Sequence, residues 1–426
     1  MPRTVFVLGA GFTKAFLPAA PLLVDTYDIE KVISKHRGFL RAEEILQGEA
    51  GRRNDGKIDI ERLLTRLEGL PFDTDEALAY FASIKRDVHK LFLDRLEQAK
   101  SQGIKYHEEL RDFAYHCLVH QASCVTFNYD DVLDQAMHEV GGSVGAESAI
   151  YWHPNTGYGF YIPLSADCIG GSFWAQSERS ATLIHKLHGS INWRTKLGFH
   201  RPYPIDALVH HDNWSFSDAF SSKFIASHLT DDVFVIPPIL VKTSLQEPIV
   251  KRIWEHARKA LIDADRVIFI GYSCPITDLA ADFLFAESLK DKRDRISIVD
   301  SEKAGTSEVE AFRDRYKRII PSLNNDQFHF AGAIQWLNEF LPARRDILSR
   351  SEGQKAAKNI IQFLRGEKEP NRSAQGLCSK IGSAEPSLYE QVIQKLLNDG
   401  IIIRNARGNL LIRERPDDPN FRSPDA

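Results

Sequence analysis

The stretch VFVLGAGFT, residues 5–13, has the pattern of a buried β-strand followed by a glycine-rich turn. Its apolar run has strand length and stops at Gly9-Ala10-Gly11, after which Phe12-Thr13 opens a segment that is compatible with a helix. In parallel α/β domains such a turn places backbone N–H groups against a phosphate, and the second glycine leaves room for a pyrophosphate. The same residues also fit a turn that binds no ligand, because Lys14 stands where the G-x-G-x-x-G fingerprint has its last glycine.

Length, composition and charge bound the class of protein. At 426 residues the chain is long enough for two or three domains, and 43% hydrophobic with 26% charged residues is ordinary for a globular protein. The formal net charge of −4 gives no overall signature of nucleic-acid binding. No apolar run reaches the length of a transmembrane helix, so we expect a cytoplasmic protein without a membrane partner.

The sequence contains five cysteines, and no two of them form a C-x-x-C pair. This pattern fits neither a structural zinc site built from four cysteines nor a disulfide framework, and it suits a reducing compartment. Cys274 follows a predicted buried strand, and its position fits either a nucleophile or a small buried hydrophobic residue.

Strands and helices alternate along the chain on either side of a long helical insertion at about residues 29–115. Further strands are predicted at residues 123–127, 183–187, 233–236, 267–270 and 296–299, with helices at about 249–261 and 277–289. Such alternation is typical of a parallel sheet flanked by helices, in which ligands bind at the carboxyl ends of the strands. The predicted strand ends carry Gly9-Ala10-Gly11, Asn128, Asp130, His188, Gly271-Tyr272-Ser273 and Asp300.

The last part of the chain has the pattern of a separate small domain. Helical patterns around 357–364, 377–381 and 388–397 are followed by two short apolar segments that predict a β-hairpin at 401–413. Three helices and a hairpin are typical of a winged helix, so we predict domains at residues 1–345 and 354–416. The segment 354–415 holds 11 Lys and Arg against 6 Asp and Glu, and it fits contact with either DNA or protein.

Two polar side chains at predicted strand ends have the chemistry that an enzyme needs. Asn128 offers one acceptor and two donors, which can orient a ribose hydroxyl, a water or a carboxamide. His188 can exchange a proton near neutral pH, as a general base must, and Gly189 behind it leaves space for a ligand. The same positions also fit an Asn that opens an Asx turn and a His that bonds a loop carbonyl.

Four short motifs occur in the order seen in the sirtuin superfamily. Residues 9–13, 126–130, 187–190 and 271–273 resemble its G-A-G, T-Q-N-I-D, H-G and G-T-S elements. The chain is also similar to the bacterial sirtuin-like group associated with antiphage defence, which has an I-E-x-L-L helix, an L-H-G-S-I-N-W segment and a G-Y-S-x-P-x-T-D turn. These correspond here to residues 60–64, 187–193 and 271–278, and the resemblance covers about residues 4–340.

The resemblance implies a Rossmann-like sheet with a helical module, and NAD+ as the ligand. By match to the motifs, the diphosphate would be held by Gly9, Ala10, Gly11, Phe12 and Thr13. Asn128 and Asp130 would face the nicotinamide ribose, and His188 would be the general base. Gly271, Tyr272, Ser273 and Asp300 would line the adenosine side. Asp278, the last residue of the 271–278 motif, is also assigned to cofactor binding.

Departures from the family pattern favour hydrolysis of NAD+ to nicotinamide and ADP-ribose over deacetylation. Sirtuin deacetylases hold zinc with two C-x-x-C pairs, which this sequence lacks, so no zinc is expected. Phe127 replaces the Gln of the family, and the G-I-P-D-F-R cofactor loop has no clear counterpart near residues 17–25. Ile236–Ile239 lies where the family has the F-G-E segment that pairs with an acetylated peptide. We therefore expect an NAD+ glycohydrolase that depletes NAD+ in an antiphage, abortive-infection system.

Two other classes of function fit the sequence as well. One is an NAD-dependent protein deacylase or ADP-ribosyltransferase, and the other is a non-catalytic nucleotide sensor with a tail that binds DNA or protein. An NADase needs control in its host, and sirtuin-like defence proteins are controlled by self-assembly, by HerA-type hexameric ATPases, by Argonaute-type partners or by phage proteins. The resemblance therefore implies a homo-oligomer or a partner of such a kind.

Overall fold

The computed structural model describes residues 3–20, 101–142, 150–160, 180–195, 209–211, 233–235, 248–275, 278–301, 305–341, 351–366, 386–407 and 409–412, with single residues at 162 and 381 and between 87 and 99. The strands in chain order are β1 Thr4–Leu8, β2 Ser123–Thr126, β3 Ile184–Lys186, β4 Gly189–Thr195, β5 Val209–His211, β6 Val233–Val235, β7 Arg266–Ile270, β8 Ile296–Val299, β9 Phe328–His329, β10 Ile402–Arg404 and β11 Leu410–Ile412. The helices are α1 Ala10–Phe16, α2 His107–His120, α3 Val132–Gly141, α4 Pro248–Asp263, α5 Leu279–Leu289, α6 Thr306–Ile319, α7 Ala333–Phe340, α8 Ser351–Gly366 and α9 Pro386–Asn398.

The central element is a six-stranded sheet in the order β3-β2-β1-β7-β8-β9, and every neighbouring pair in it is parallel. Counted along the chain within this sheet, the order is 3-2-1-4-5-6, which is that of a doubly wound Rossmann fold. The predicted Rossmann-like α/β class is therefore confirmed. The strand order reverses between β1 and β7, and ligands of such folds bind at this switch point.

Helices cover both faces of the sheet. Phe6 on β1 packs edge-on against Phe113 of α2, with ring centroids 4.9 Å apart, and against Phe340 of α7 at 6.1 Å. Phe269 on β7 is in register with Val7, the residue after Phe6. Because successive residues of a strand point to opposite faces, Phe269 lies on the other face of the sheet from Phe6. There its ring packs against Phe285 of α5, with centroids 5.0 Å apart. Strands covered on both faces are apolar throughout, which explains why β1 and β7 are continuous apolar runs.

A second, three-stranded antiparallel sheet has the order β5-β4-β6. Only Leu187 and His188 separate β3 of the parallel sheet from β4 of this sheet, and Gly189 takes a positive φ of 75° at the corner. The strand predicted at 233–236 is present as β6, but it belongs to this antiparallel sheet. The strands β4, β5 and β9 are not predicted from the sequence.

The carboxyl-terminal elements are α8, α9 and the antiparallel hairpin of β10 and β11. They share apolar packing through Ile360 of α8, Leu396 of α9 and Ile402 of β10, which are all buried. Gly400, with a φ of 67°, follows α9 and precedes the hairpin. The Tyr115 hydroxyl of α2 donates to the Asp399 carboxylate, so this module contacts the helices of the main sheet.

Several predicted features fall where the structure gives no description. The helical insertion at 29–115 lies outside the described residues except for isolated positions and the start of α2, and the segment 367–385 is described only at Ile381. The winged-helix assignment and the domain boundaries thus stay predictions. None of the described helices is both long and apolar enough to cross a membrane.

Candidate functional site at the carboxyl edge of the sheet

The strands of the parallel sheet end side by side, which brings the predicted site residues to one edge. Leu8 is in register with Thr126 of β2 and with Ile270 of β7. The ladder continues one residue further, since Phe127 N–H donates to the Leu8 carbonyl at 3.2 Å and Gly9 N–H donates to the Ile270 carbonyl at 3.1 Å. The residues that follow β2, β1 and β7 therefore form a continuous row.

Three glycines in this row are packed against each other. A Cβ on Gly9 would lie 2.5 Å from the Gly271 oxygen, and one on Gly11 would lie 2.8 Å from the Gly271 Cα. Gly271 has a φ of 62°, and a Cβ there would meet Phe12 N at 2.2 Å. Gly11 N–H donates to the Gly271 carbonyl at 2.9 Å. The turns after β1 and β7 can therefore approach this closely only with glycine at these positions, whether or not a pyrophosphate is bound.

A hydrogen-bonded chain links the turns after β1 and β2. The Asn128 side-chain amide donates to the Gly9 carbonyl at 2.8 Å and to Thr13 Oγ1 at 3.0 Å. Thr13 Oγ1 in turn donates to Asp130 Oδ2 at 2.7 Å, and Asp130 Oδ1 accepts from Val132 N–H at 3.1 Å. The local sequence favours this arrangement because an Asp readily accepts from the N–H two residues on, as an Asx turn, and Asp130 does so just before α3 begins. Asn128, Thr13 and Asp130, predicted from separate parts of the chain, are therefore one connected group.

His188 lies beside this group in an enclosed position. Its side chain is only 4% exposed, and its Nε2 lies 3.2 Å from Oδ2 of Asp278, whose side chain is 2% exposed. The Phe127 ring packs edge-on against the imidazole at 5.2 Å, and the Tyr129 ring lies at 6.1 Å. The structure thus pairs a predicted base with a carboxylate that the sequence analysis had assigned to cofactor binding. His188 and Asp278 are 90 residues apart in the chain, so no local sequence pattern indicates their contact.

Aromatic packing closes the site around His188. Phe127 stacks on Tyr272 with centroids 4.6 Å apart and an interplanar angle of 22°. Burial, and then the nearby Asp278 carboxylate, raises the pKa of Tyr272 well above its usual value, so this phenol stays neutral. Phe127 therefore belongs to an apolar wall beside His188.

The turn after β7 continues toward α6. Arg315 of α6 donates from Nε to the Ser273 carbonyl at 2.9 Å, and the Tyr316 hydroxyl donates to the Tyr272 carbonyl at 2.6 Å. Cys274 is buried, and burial raises the pKa of its thiol to about 12. The thiolate is scarce at neutral pH, which favours the packing interpretation of this cysteine over the nucleophilic one.

Asp300 ends β8, two strands from β1 in the same row. Its N–H donates to the His329 carbonyl of β9 at 2.9 Å, and its Oδ1 accepts from Ser301 N–H at 2.7 Å. Ala10, Gly11, Ser273 and Ser301 are exposed, so the edge that runs from the start of α1 to the end of β8 faces solvent. Among the described residues, no group of three or more His, Cys, Asp or Glu is arranged to hold a metal ion.

A buried charged network lies behind the loop that carries Asn128 and Asp130. Lys186 Nζ, at the end of β3, contacts both carboxylate oxygens of Asp134 at 3.2 and 3.3 Å and the main-chain carbonyl of Asp130 at 2.5 Å. The Tyr158 hydroxyl donates to Asp134 at 2.6 Å. Burial raises the pKa of Asp134, while Lys186 and Tyr158 lower it. This network is not predicted from the sequence, although a lysine in a buried strand is a signal for a buried partner.

Comparisons with known proteins find similar solved structures but no matching family model or curated sequence. No protein-family model matches the chain, and no curated protein matches it. Among solved structures, a Sir2 homologue in complex with NAD is 13% identical with a TM-score of 0.38, over 81% of this chain and 90% of the other. A mutant Sir2 homologue in complex with ADP-ribose is 13% identical with a TM-score of 0.37, over 82% and 93%. A structure on the mechanism and regulation of Sir2 enzymes is 13% identical with a TM-score of 0.33, over 80% and 91%. The fold itself is established by the strand order of this chain's own sheet.

Proposed function

We propose that the chain is a sirtuin-like NAD+ hydrolase, which converts NAD+ to nicotinamide and ADP-ribose. The observation that carries the proposal is that Asn128 follows β2 and His188 follows β3, which are neighbouring strands on one side of the switch point of a doubly wound sheet. Both residues match the sirtuin motifs in order and in strand context. The exposed residues Ala10 and Gly11, at the start of α1 beside them, offer a surface on which a dinucleotide can lie.

The reaction needs positioning and charge stabilisation more than a strong nucleophile. The bond between the nicotinamide nitrogen and the ribose carbon breaks, its electron pair leaves with nicotinamide, and positive charge develops on the ribose. A water oxygen then bonds to that carbon, and His188 takes the water proton. Asn128 would orient the ribose and this water, and Asp130, which Thr13 holds in place, would supply negative charge beside the cationic ribose.

Nicotinamide release from NAD+ by the purified full chain tests this function. We expect release by the wild type, and a loss of about a hundredfold or more in His188→Ala and in Asn128→Ala. His329→Ala is the matched control, because it removes a histidine that ends β9 at the far edge of the same sheet. If folded His188→Ala and Asn128→Ala variants keep near wild-type turnover, the site assignment is wrong.

The same assay separates the alternative functions. Release that depends on an added acetylated peptide or acceptor protein would indicate a deacylase or an ADP-ribosyltransferase. NAD+ binding without any release would indicate a nucleotide sensor. Hydrolysis with NAD+ alone, or with an activating partner that is not itself modified, supports the glycohydrolase.

We further propose that the enzyme acts as the NAD-depleting effector of a bacterial antiphage system. The candidate means of control are homo-oligomerisation and a partner such as a HerA-type ATPase or an Argonaute-type protein. Light scattering on the pure protein tests the first, and a monodisperse monomer that is fully active without any added factor would contradict both. The module of α8, α9 and the hairpin is our candidate for docking protein or DNA. Binding of the full chain to duplex DNA that weakens steeply with salt would favour DNA.

A further inference from the structure

We propose that Asp278 is the positioning residue for His188, fixing which imidazole nitrogen carries the hydrogen and which keeps the lone pair; this rests on the proposed function. The two side chains meet at 3.2 Å between Asp278 Oδ2 and His188 Nε2. Both are almost completely buried, so solvent does not compete for this contact. The resemblance to known motifs assigned Asp278 to cofactor binding instead.

The Asp278 carboxylate is held in place from its other side. It is the N-cap of α5, and its Oδ1 accepts from Ala281 N–H at 3.2 Å. Its own N–H donates to the Pro275 carbonyl at 3.2 Å. One oxygen is thus fixed by an 11-residue helix while the second faces the imidazole, so the carboxylate presents a rigid acceptor to His188.

This geometry selects one tautomer of the neutral histidine. A carboxylate can only accept, so Nε2 carries the hydrogen and Nδ1 keeps the lone pair that takes a proton from water. When His188 becomes positively charged, the adjacent negative charge stabilises it, and the effect is strong because both residues are almost completely buried. Two phenols pack here, Tyr129 against the imidazole and Tyr272 behind Phe127.

Capping of α5 is the purely structural role that the test must separate from positioning. Asn and Ser both cap helices well, so Asp278→Asn and Asp278→Ser keep the bond to Ala281 N–H. Asn places an N–H donor opposite Nε2, which favours the wrong tautomer, and Ser leaves His188 without this partner. Asp282→Asn is the matched control, because it removes a carboxylate from the same first turn whose partner is Arg318, at 2.7 Å.

For the full chain we expect Asp278→Asn and Asp278→Ser to lower kcat for nicotinamide release by about a hundredfold, with KM for NAD+ within about threefold and little change in Tm. Asp282→Asn is expected to stay within about twofold of the wild-type kcat. A capping role alone predicts wild-type kcat in both Asp278 variants. That outcome, in folded protein, would overturn the proposal.

A measurement without turnover tests the pair itself. In protein with isotope-labelled histidine, the His188 imidazole signals are identified by their loss in His188→Gln. We expect hydrogen on Nε2 in the wild type and a change in these signals in Asp278→Asn, whereas hydrogen on Nδ1 in the wild type would overturn the proposal. A wild type that releases no nicotinamide yet shows the Asp278-dependent signals would remove the proposed function and leave the pair intact.

Discussion

Asn128 Nδ2 donates a hydrogen bond of 2.8 Å to the main-chain carbonyl of Gly9, so the turns after β2 and β1 are joined directly. The same amide also donates to Thr13 Oγ1, which passes the connection on to Asp130. A residue proposed to act on the substrate is therefore also part of the structure that shapes the site. Loss of activity in a variant of Asn128 is informative only when stability is measured beside it.

Asn128→Ala is expected to lower the free energy of unfolding by about 1–2 kcal/mol, because it leaves the Gly9 carbonyl without this donor. From sequence alone the expectation is an intact fold with no such cost. Thr13→Val breaks the same chain, so the double variant is expected to lose roughly 1 kcal/mol less than the two single losses combined. Urea unfolding measures both, with Thr13→Ser as the control that keeps the hydroxyl. Strict additivity would mean that the two side chains act independently.

Gly11→Ala is expected to destabilise the protein by about 1–3 kcal/mol even in the absence of nucleotide, because its Cβ would lie 2.8 Å from the Gly271 Cα. Gly305→Ala is the matched control, because Gly305 directly precedes α6 as Gly11 lies in the first turn of α1. Gly305 has an extended φ of −178°, and a Cβ there would meet no atom within 4 Å. Thermal unfolding without ligand distinguishes the two. If Gly11→Ala is as stable as the wild type and only nucleotide binding is lost, the phosphate explanation of this glycine is the better one.

Lys186→Met is expected to lower the free energy of unfolding by about 3–5 kcal/mol, since it leaves the Asp134 carboxylate buried without its cation. Adding Asp134→Asn is expected to restore part of the loss by removing the unpaired charge. Arg258→Ala provides the comparison with an exposed ion pair, because Arg258 and Glu287 are 54% and 63% exposed, and it should change stability by less than about 1 kcal/mol. Equal effects of Lys186→Met and Arg258→Ala in urea unfolding would contradict the importance of the buried network.

Stability is expected to fall as the pH drops below about 6.5, because one buried and two half-buried histidines resist protonation. Burial lowers the pKa of His116 and His153 to about 4 and that of His185 to about 3. Their contribution is fully present above the unfolded pKa, and it is lost as the pH falls from about 6.5 toward those folded values, where the unfolded chain alone binds the protons. From pH 7.5 to pH 5.5, each histidine is expected to lower the free energy of unfolding by about 1.4 kcal/mol, which is roughly 4 kcal/mol for the three.

His116→Phe tests this origin of the pH dependence. Phe6 and Phe340 already surround His116, at ring-centroid distances of 6.2 and 5.5 Å, so an aromatic replacement fits its surroundings. The loss of stability between pH 7.5 and 5.5 is expected to shrink by about 1.4 kcal/mol in denaturant unfolding at the two pH values. An unchanged difference would exclude His116 as a source.

Local sequence determined which segments are strands of the main sheet and which residues end them. β1 and β7 are apolar after their first residue, and a strand buried on both faces needs such a run whatever its neighbours are. β2, β3 and β8 include polar residues but lie within the predicted segments 123–127, 183–187 and 296–299. Parallel strands end at one edge, so the co-location of Asn128, His188, Gly271 and Asp300 followed from their positions after these runs. The two-residue strand β9 carries too little pattern to be recognised, and β4 and β5 are placed in a second sheet by pairing rather than by composition.

Contacts between distant parts of the chain were decided only by the tertiary structure. The 3.2 Å pairing of His188 with Asp278, the packing of Gly9 and Gly11 against Gly271, and the enclosure of Lys186 by Asp134 each join residues that no periodicity relates. They depend on strand order and register, which bring segments tens to hundreds of residues apart within hydrogen-bond distance. The sequence by itself therefore determined the residue types available at the edge of the sheet. The fold determined their partners, because a side chain's partner depends on which strand lies beside its own.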